Sequence, residues 1–309
     1  MKKNDRSVVH EDEITVDGSH AISKFRLSDF LMMLFIGILS LTCILPFIHI
    51  AAKSISSNNK VVAKLVYFIP KEITLDAYRS IIANAGLTRS MGYSLMVTLI
   101  FTALGMFVCI CGAYPLSRTR LKGRKWLTFL LMVPMYFGAG LIPSYLLMSS
   151  YNLLDNMWVL ILPLIYSAYN LLIMKTYFLN SIPDSLEESA FLDGATNFQI
   201  LTKIVLPLSK PILATISLFY AVGRWNSYAD NMYYIRSENL KMVQYKLYQM
   251  VASAQEAQTS AMSDAAAVTS TPEVLQAASV MFITIPIICI YPFLQKYFVK
   301  GTMIGAVKG

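Results

Sequence analysis

The amino-acid sequence predicts an all-α polytopic membrane protein with six transmembrane helices. Of its 309 residues 56% are hydrophobic and only 14% are charged, whereas a soluble domain carries about 25% charged residues. Five runs contain no Lys, Arg, Asp or Glu and reach or approach the roughly 20 residues that a helix needs to cross a bilayer. These runs are 30–52, 91–116, 126–154, 156–174 and 274–295. The period-two alternation of a membrane barrel is absent.

The six predicted spans follow from these runs and from one further stretch. That stretch, the fifth span, contains Lys210 and is followed by Arg224, and a lysine near a helix end can reach the interface. The first span begins too far into the chain, and lacks the small-residue pattern, for a cleaved signal peptide. The cysteines fall inside spans and are interpreted as apolar packing residues without disulfides. The spans cover about 30–52, 91–116, 126–149, 157–176, 206–224 and 276–296 of a transmembrane domain at 28–300.

The placement of basic residues predicts the orientation. The loop "SRTRLKGRK" at 117–125 holds five basic residues and no acid, which by the positive-inside rule makes it cytoplasmic. The arm 1–27, the loop 181–207 and the tail 301–309 are then cytoplasmic too. Residues 53–90 carry six basic residues, but long outer loops influence orientation little. Because the positive charge belongs to membrane topology, no nucleic-acid partner is expected, and the scattered histidines indicate no metal site.

The polar loop 181–207, between spans four and five, predicts two short helices joined by a glycine. Asp184 stands three residues before Glu187, a helix-start spacing, and Gly194 suits a helix end. Thr196 and Gln199 have capping-box spacing, and Pro207 is expected to end the second helix. One interpretation is an amphipathic linker on lipid headgroups. The acidic residues at 187, 188 and 193 oppose it, because an anionic membrane surface repels carboxylates, and favour a basic protein partner.

The same loop carries a family motif. Glu188-Ser189-Ala190, three residues, Gly194, nine residues and Ile204-Val205-Leu206-Pro207 resembles the EAA loop of binding-protein-dependent ABC importers, and only Ser189 departs from it. The segments "IPDSLEESAFLDGA", "AYPLSRTRLKGRK", "RWNSY" and "GAVKG" are similar to the carbohydrate branch. From about residue 28 onward the chain resembles a maltose-type inner permease of the aldouronate and complex-oligosaccharide subgroup.

This resemblance implies a type I ABC importer permease fold in a bacterial cell membrane, and a set of partners. They are a second, non-identical permease, a cytoplasmic ABC ATPase dimer, an extracytoplasmic solute-binding protein and an oligosaccharide substrate. The EAA helix of the family docks in a cleft of the ATPase, so Glu188 is expected to meet a basic residue there. For Glu187 two predictions stay open: a contact with the ATPase, or a solvated position on the helix without a partner. The residues implied in ATPase coupling are Glu188, Ser189, Ala190, Asp193, Gly194, Ile204, Leu206 and Pro207.

The residues themselves agree that energy enters from another protein. The chain has no G-x-x-x-x-G-K-[ST] loop, so it has no usual means of binding a nucleotide cofactor. The spans also lack the acidic or histidine relays of ion-coupled carriers. The alternatives are a permease of the same family for glycerol phosphate or a polyamine, and an ion-coupled secondary transporter. An intramembrane enzyme is opposed by the absence of H-E-x-x-H and G-x-S-x-G motifs, and no catalytic residue is assigned.

Aromatic residues near the span ends are the candidates for a sugar pathway, because sugars stack on aromatic rings. The competing interpretation is an interfacial aromatic belt. Arg224 could face a water-filled mouth or the outer interface. By position, residues 227–273 correspond to the loop with which maltose-type permeases touch their binding protein. The pathway candidates are Tyr136, Tyr169, Tyr220, Trp225 and Asn226.

Overall fold

The computed structural model describes residues 27–261 and 273–306. Within these ranges the secondary structure is helical, apart from an isolated bridge between Ser56 and Ile73. Short 3-10 segments lie at Met157–Leu160, Leu162–Leu164 and Glu238–Leu240, and a π-helical turn lies at Leu201–Val205. The α-helices are α1 (Leu27–Ser54), α2 (Asn58–Val62), α3 (Asp76–Ala83), α4 (Ala85–Ser117), α5 (Arg124–Tyr136), α6 (Leu141–Ser150), α7 (Ala168–Ser181), α8 (Asp184–Leu192), α9 (Asn197–Ile200), α10 (Leu206–Leu208), α11 (Lys210–Asn226), α12 (Ala229–Tyr234), α13 (Val243–Ala261) and α14 (Glu273–Ala306).

Length and hydropathy identify the membrane-crossing helices. Three are long and apolar enough by themselves, namely α1, α4 and the first part of α14. Three more crossings result if each bent pair of helices counts as one span. The pairs are α5 with α6, bent by 110°; the segment 157–164 with α7, bent by 48°; and the segment 197–208 with α11, bent by 84°. The total of up to six agrees with the predicted number of spans. The segment 197–208 begins nine residues before the predicted fifth span and also carries part of the predicted polar loop.

Two of the bends have local causes. Residues 137–140 separate α5 from α6, and Gly140 there has a φ of +86°, a conformation that favours glycine. Before α11 the chain bends at Ser209, and Pro211 follows in the first turn of that helix. The second polar helix was expected to end at Pro207, and the structure corrects this by one residue. Pro207 lies within α10, which continues from the π-helical turn, and the helix ends at Leu208.

The chain divides into two compact units, residues 1–47 and 48–309. The described part of the first unit is the N-terminal portion of α1, whose large apolar side chains are exposed, as expected of a lipid-facing helix. Residues 1–26, 262–272 and 307–309 lie outside the described ranges. These residues include nearly all of the predicted cytoplasmic arm and parts of the predicted outer segment 227–273 and of the tail.

The core of the second unit forms where α4 packs against α7 and α11. Two glycines of α4 allow this close approach. A Cβ atom at Gly105 would lie 2.7 Å from the Tyr220 ring, and one at Gly112 would lie 2.7 Å from Leu171 Cδ1. Small residues at helix contacts are the usual means of close packing within a membrane. The three helices therefore share one tightly packed interior.

Arg224 occupies neither of the two positions that the sequence left open. Its side chain is fully buried and forms a bidentate ion pair with Asp230, at 2.5 Å from Nη1 to Oδ2 and 2.9 Å from Nη2 to Oδ1. Nη1 also donates to the carbonyl oxygen of Leu160 at 2.9 Å. The arginine thus ties the end of α11 to α12 and to the 3-10 segment at 157–160, because a buried guanidinium needs partners on several sides.

A second polar contact joins the loop after α6 to the segment after α12. Asp155 accepts the backbone N–H groups of Arg236 at 2.9 Å and Ser237 at 2.8 Å on Oδ1, and the Ser237 hydroxyl at 2.6 Å on Oδ2. The hydroxyl, followed by the two amides, holds the pKa of the Asp155 carboxyl below its usual value of 3.8. We call this group of contacts the Asp155 clamp.

Candidate coupling site

The predicted coupling residues lie on an elbow formed by residues 184–208. Its first helix, α8, ends in a Schellman motif: Ala195 N–H donates to Ala190 O at 2.9 Å and Gly194 N–H donates to Phe191 O at 3.0 Å. Gly194 has a φ of +82°, which a side chain with a Cβ atom rarely adopts. The structure thus agrees with the predicted helix end at this glycine.

The second helix of the elbow begins with the predicted capping box. The Thr196 hydroxyl accepts the backbone N–H of Gln199 at 3.3 Å, and Gln199 Oε1 accepts the backbone N–H of Thr196 at 2.8 Å. The start of α8 differs from the prediction. Its N-cap is Pro183 without a side-chain cap, and Asp184 bonds instead to residues of the preceding basic loop.

Seven of the eight residues implied in ATPase coupling present at least part of their surface. Glu188, Ser189 and Asp193 are exposed, as are Gly194 and Pro207, while Ile204 and Leu206 are half-buried. The eighth, Ala190, is buried and packs against the core below. The elbow therefore presents Glu188 and Asp193 outward, and its own caps fix the backbone that carries them.

Glu187 is a residue whose place the sequence did not reveal. It is only 3% exposed. Its Oε1 lies 3.2 Å from Arg118 Nε and its Oε2 lies 3.7 Å from Arg120 Nη2, with Tyr114 Oη at 3.5 Å. Neither solvent nor a partner protein holds this carboxylate, since both arginines belong to the same chain. The only available sign in the sequence was the opposite charge of the "SRTR" segment.

Arg118 connects three elements at this point. Its side chain is buried, and besides Glu187 it contacts Asp184 Oδ1 at 3.4 Å through Nη1. Its Nη2 donates to Phe178 O at 3.3 Å. The guanidinium therefore joins the C-terminal end of α4 to the end of α7 and to the first turn of α8. Multiple acceptors are what a buried arginine requires.

Arg120 makes the corresponding contact with the rest of the elbow. Its Nη2 donates to Asn197 Oδ1 at 2.7 Å, and its guanidinium carbon lies 4.4 Å from the centroid of the Phe191 ring. The basic loop and the elbow are thus in direct contact and lie on the same side of the membrane. These two arginines therefore link the elbow to the residues that directly follow α4.

The outer surface of the elbow also exposes large apolar side chains. Leu192 is 90% exposed and Phe198 is 73% exposed, on either side of the turn at Gly194. Exposed apolar residues beside exposed carboxylates are typical of a surface that another protein covers. The elbow is therefore chemically suited to docking a protein with basic and apolar groups.

The five pathway candidates fall into two groups. Tyr136, Tyr169 and Asn226 are exposed, and Tyr169 approaches Phe219 with ring centroids 6.4 Å apart. Tyr220 is only 4% exposed, and its hydroxyl donates to Ile165 O at 3.1 Å. Trp225 is only 3% exposed. The last two residues are packed within the chain in this conformation, so a solute could contact only the first three.

Known proteins resemble the chain over nearly its whole length. The family described as "Binding-protein-dependent transport system inner membrane component" matches residues 21–304. The polygalacturonan/rhamnogalacturonan transport system permease protein YtcP of Bacillus subtilis is 44% identical over 93% of this chain and 100% of its own length. Protein LplC of the same organism is 38% identical over 94% of this chain and 98% of its own length.

A solved structure gives the same result for the fold. It is a chain of a bacterial ABC transporter involved in the import of the acidic polysaccharide alginate. That chain superposes with a TM-score of 0.79 at 31% identity, over 89% of this chain and 98% of its own length. These matches confirm the predicted all-α, six-span importer fold and identify the chain as a transport component rather than an enzyme. The chain belongs to the family of inner-membrane components of binding-protein-dependent transport systems.

Proposed function

We propose that this chain is a permease subunit of an ATP-driven importer of oligosaccharides. It works beside a second, non-identical permease, above a cytoplasmic ABC ATPase dimer, and receives its solute from an extracytoplasmic binding protein. Support comes from the family match and from relatives named for galactooligosaccharide and maltodextrin transport as well as for polygalacturonan. A permease for glycerol phosphate or a polyamine remains the alternative, although several of the matching relatives are named for sugars.

The substrate that we favour is an oligosaccharide with uronate residues. Two of the matches point to acidic polysaccharides: one relative is named for polygalacturonan and rhamnogalacturonan, and the matching structure concerns alginate. Polygalacturonan is a polymer of a sugar acid, so both names describe carboxylated sugars. Competition for uptake between a labelled oligogalacturonate and a neutral oligosaccharide of equal length tests this assignment. Stronger competition by the neutral sugar would refute it.

We further propose that the elbow receives force from the ATPase. The observation that carries this proposal is the buried contact between Arg118 and Glu187, beside an elbow surface that is acidic and apolar. Glu188 and Asp193 face a basic partner, while Leu192 and Phe198 supply apolar contact. Gly194 sets the angle between the two elbow helices. Because Arg118 continues directly from α4, movement of the docked elbow moves a helix that forms the core of the permease.

Replacing Glu188 by Lys tests this coupling role, because it presents a cation where the partner is expected to be basic. Importer with Glu188→Lys should reach the membrane, yet the loaded binding protein should stimulate its ATP hydrolysis at least about tenfold less, since like charges at an interface cost several kcal/mol. Gly194→Val should act in the same direction through backbone strain. Stimulated ATPase activity in proteoliposomes is the measurement.

The matched control is Glu72→Lys. Glu72 is an exposed acid between the first and second spans, so this variant makes the same charge change away from the elbow and should retain normal stimulation. Normal stimulation in both Glu188→Lys and Gly194→Val would contradict the coupling role of the elbow.

A further inference from the structure

A cavity of about 350 Å³ lies between α5 and α7, away from the contacts of the elbow. Three of the residues that line it are basic: Arg124, Lys125 and Lys175. Thr128 adds a hydroxyl, and Phe129 and Met132 contribute apolar walls. We call this space the basic cavity. Its chemistry differs from that of the contact between the basic loop and the elbow, where Arg118 and Arg120 already face Glu187.

The positive charge in the basic cavity is not neutralised by the residues around it. No carboxylate lines the cavity. Within the described ranges, none of its three basic residues forms an ion pair. Lys175 is half-buried, and the bond that its ammonium makes goes to the neutral Thr128 hydroxyl at 3.0 Å. Like charges gathered in a partly buried space repel each other, so an anion bound there would be favoured.

The neighbouring aromatic residues favour a position of this cavity at the level of lipid headgroups. Trp126 is 78% exposed and Phe129 is 63% exposed. Their ring centroids lie 6.3 Å apart in an edge-on arrangement. Exposed aromatic side chains at the end of a span are typical of the membrane–water interface. A ligand that reaches this cavity therefore comes most readily from the bilayer itself.

The order of residues along α5 matches the two ends of a phospholipid. Arg124, Lys125 and Thr128 occupy the beginning of the helix, and Phe129 and Met132 follow further into the span. A charged headgroup would meet the first set and an acyl chain would lie along the second. A small inorganic anion would use only the first set and leave the apolar walls unexplained.

We propose that the basic cavity binds the headgroup of an anionic phospholipid, such as phosphatidylglycerol. Its phosphate is held by Arg124 and Lys175, and one acyl chain follows Phe129 and Met132. A zwitterionic phospholipid carries a choline that offsets the phosphate charge, so it binds less tightly. This proposal does not depend on the coupling role of the elbow or on the identity of the sugar.

The test measures lipid retention by the purified importer in neutral detergent, using native mass spectrometry. Phosphatidylglycerol and phosphatidylcholine with identical acyl chains are titrated separately. The importer should retain phosphatidylglycerol with about tenfold or greater preference, because basic residues attract an anionic headgroup. The variant Arg124→Gln/Lys175→Gln should lose most of this preference. Lys122→Gln removes a charge from the same loop outside the cavity and should keep it.

Equal retention of the two lipids would overturn the proposal. An unchanged preference in the double variant, or a preference lost equally in Lys122→Gln, would also overturn it. Inorganic phosphate is added in a separate arm, and displacement of phosphatidylglycerol by millimolar phosphate would indicate a free-anion site instead. A preference that disappears when the ATPase subunits are removed would indicate a protein partner. If the double variant is not recovered, the exposed Lys125→Gln replaces it, with a smaller but measurable loss expected.

Discussion

Glu187 and Glu188 are adjacent carboxylates with opposite surroundings. The first is buried against Arg118 and Arg120, and the second is exposed. Glu187→Ala would leave the guanidinium of Arg118 buried beside a half-exposed aspartate, Asp184, as its remaining carboxylate. Removing one partner of a buried ion pair costs about 3–5 kcal/mol. We therefore expect a marked fall in the thermal unfolding midpoint of the detergent-solubilised protein.

The adjacent variant provides the comparison. Glu188→Ala removes an exposed carboxylate and should change the stability by no more than about 0.5 kcal/mol, although it should impair coupling. If both variants unfold at the same temperature, Glu187 does not carry the buried interaction that the structure assigns to it.

The sequence predicted two features of the elbow whose partners lie close together in the chain, although it missed the local start of α8. Thr196 caps Gln199 three residues away, and Gly194 adopts the positive φ expected of a helix end. The place of Glu187 was not predicted because its contacts are distant in the chain: Tyr114 and Glu187, for example, are 73 residues apart. No local pattern distinguishes an acid that faces a partner protein from one that pairs within its own chain.

The Asp155 clamp yields a pH dependence for one connecting segment. The pKa of Asp155 is below its usual 3.8 in the folded protein, so the clamp contributes stability above that value and loses it as the pH falls through the lowered one. Hydrogen exchange at the amides of Arg236 and Ser237 should therefore stay slow from pH 8 to pH 5, after correction for intrinsic rates, and accelerate below about pH 4.

The variant Asp155→Asn should show that acceleration already at neutral pH, since an amide accepts fewer hydrogen bonds than a carboxylate. Asp76→Asn is the matched control, because Asp76 is highly exposed and pairs with the equally exposed Arg79. Equal hydrogen-exchange rates in Asp155→Asn and the unmodified protein at pH 7 would show that the Asp155 clamp does not stabilise this segment.

Helices were easier to predict than their interruptions. A span is located from the average hydropathy of about 20 residues, which a single residue changes little. A break within a helix depends on only a few positions. The third span bends by 110° and the fifth by 84°, and the average hydropathy of a span gives no sign of where it bends. Arg224 shows the same limit: its position at the end of a helix was evident, whereas its ion pair with Asp230 depends on how the following segment folds back.

The arrangement of the molecule in its membrane follows from the contact between the basic loop and the elbow. Since the basic loop is expected to be cytoplasmic, we propose that the elbow and both termini are cytoplasmic and that the segment around residues 238–240 lies outside. In a parent without its native cysteines, Ser189→Cys should react with a membrane-impermeant maleimide only in inside-out vesicles. Asn239→Cys, also exposed, should react only in right-side-out vesicles.

These two positions serve as controls for each other, and detergent should make both reactive. Labelling of Ser189→Cys from the outer side would show that the orientation is opposite to the one proposed. It would also exclude a cytoplasmic ATPase as the partner of the elbow.

The ion pairs that Arg118 forms with Glu187 and Asp184 also have a consequence for synthesis of the chain. The arginine leaves the ribosome 66 residues before Asp184, with two further crossings translated in between. During that interval neither of the carboxylates that pair with it in the folded protein has been made. The C-terminal end of α4 therefore cannot complete its buried ion pairs until translation has passed residue 187.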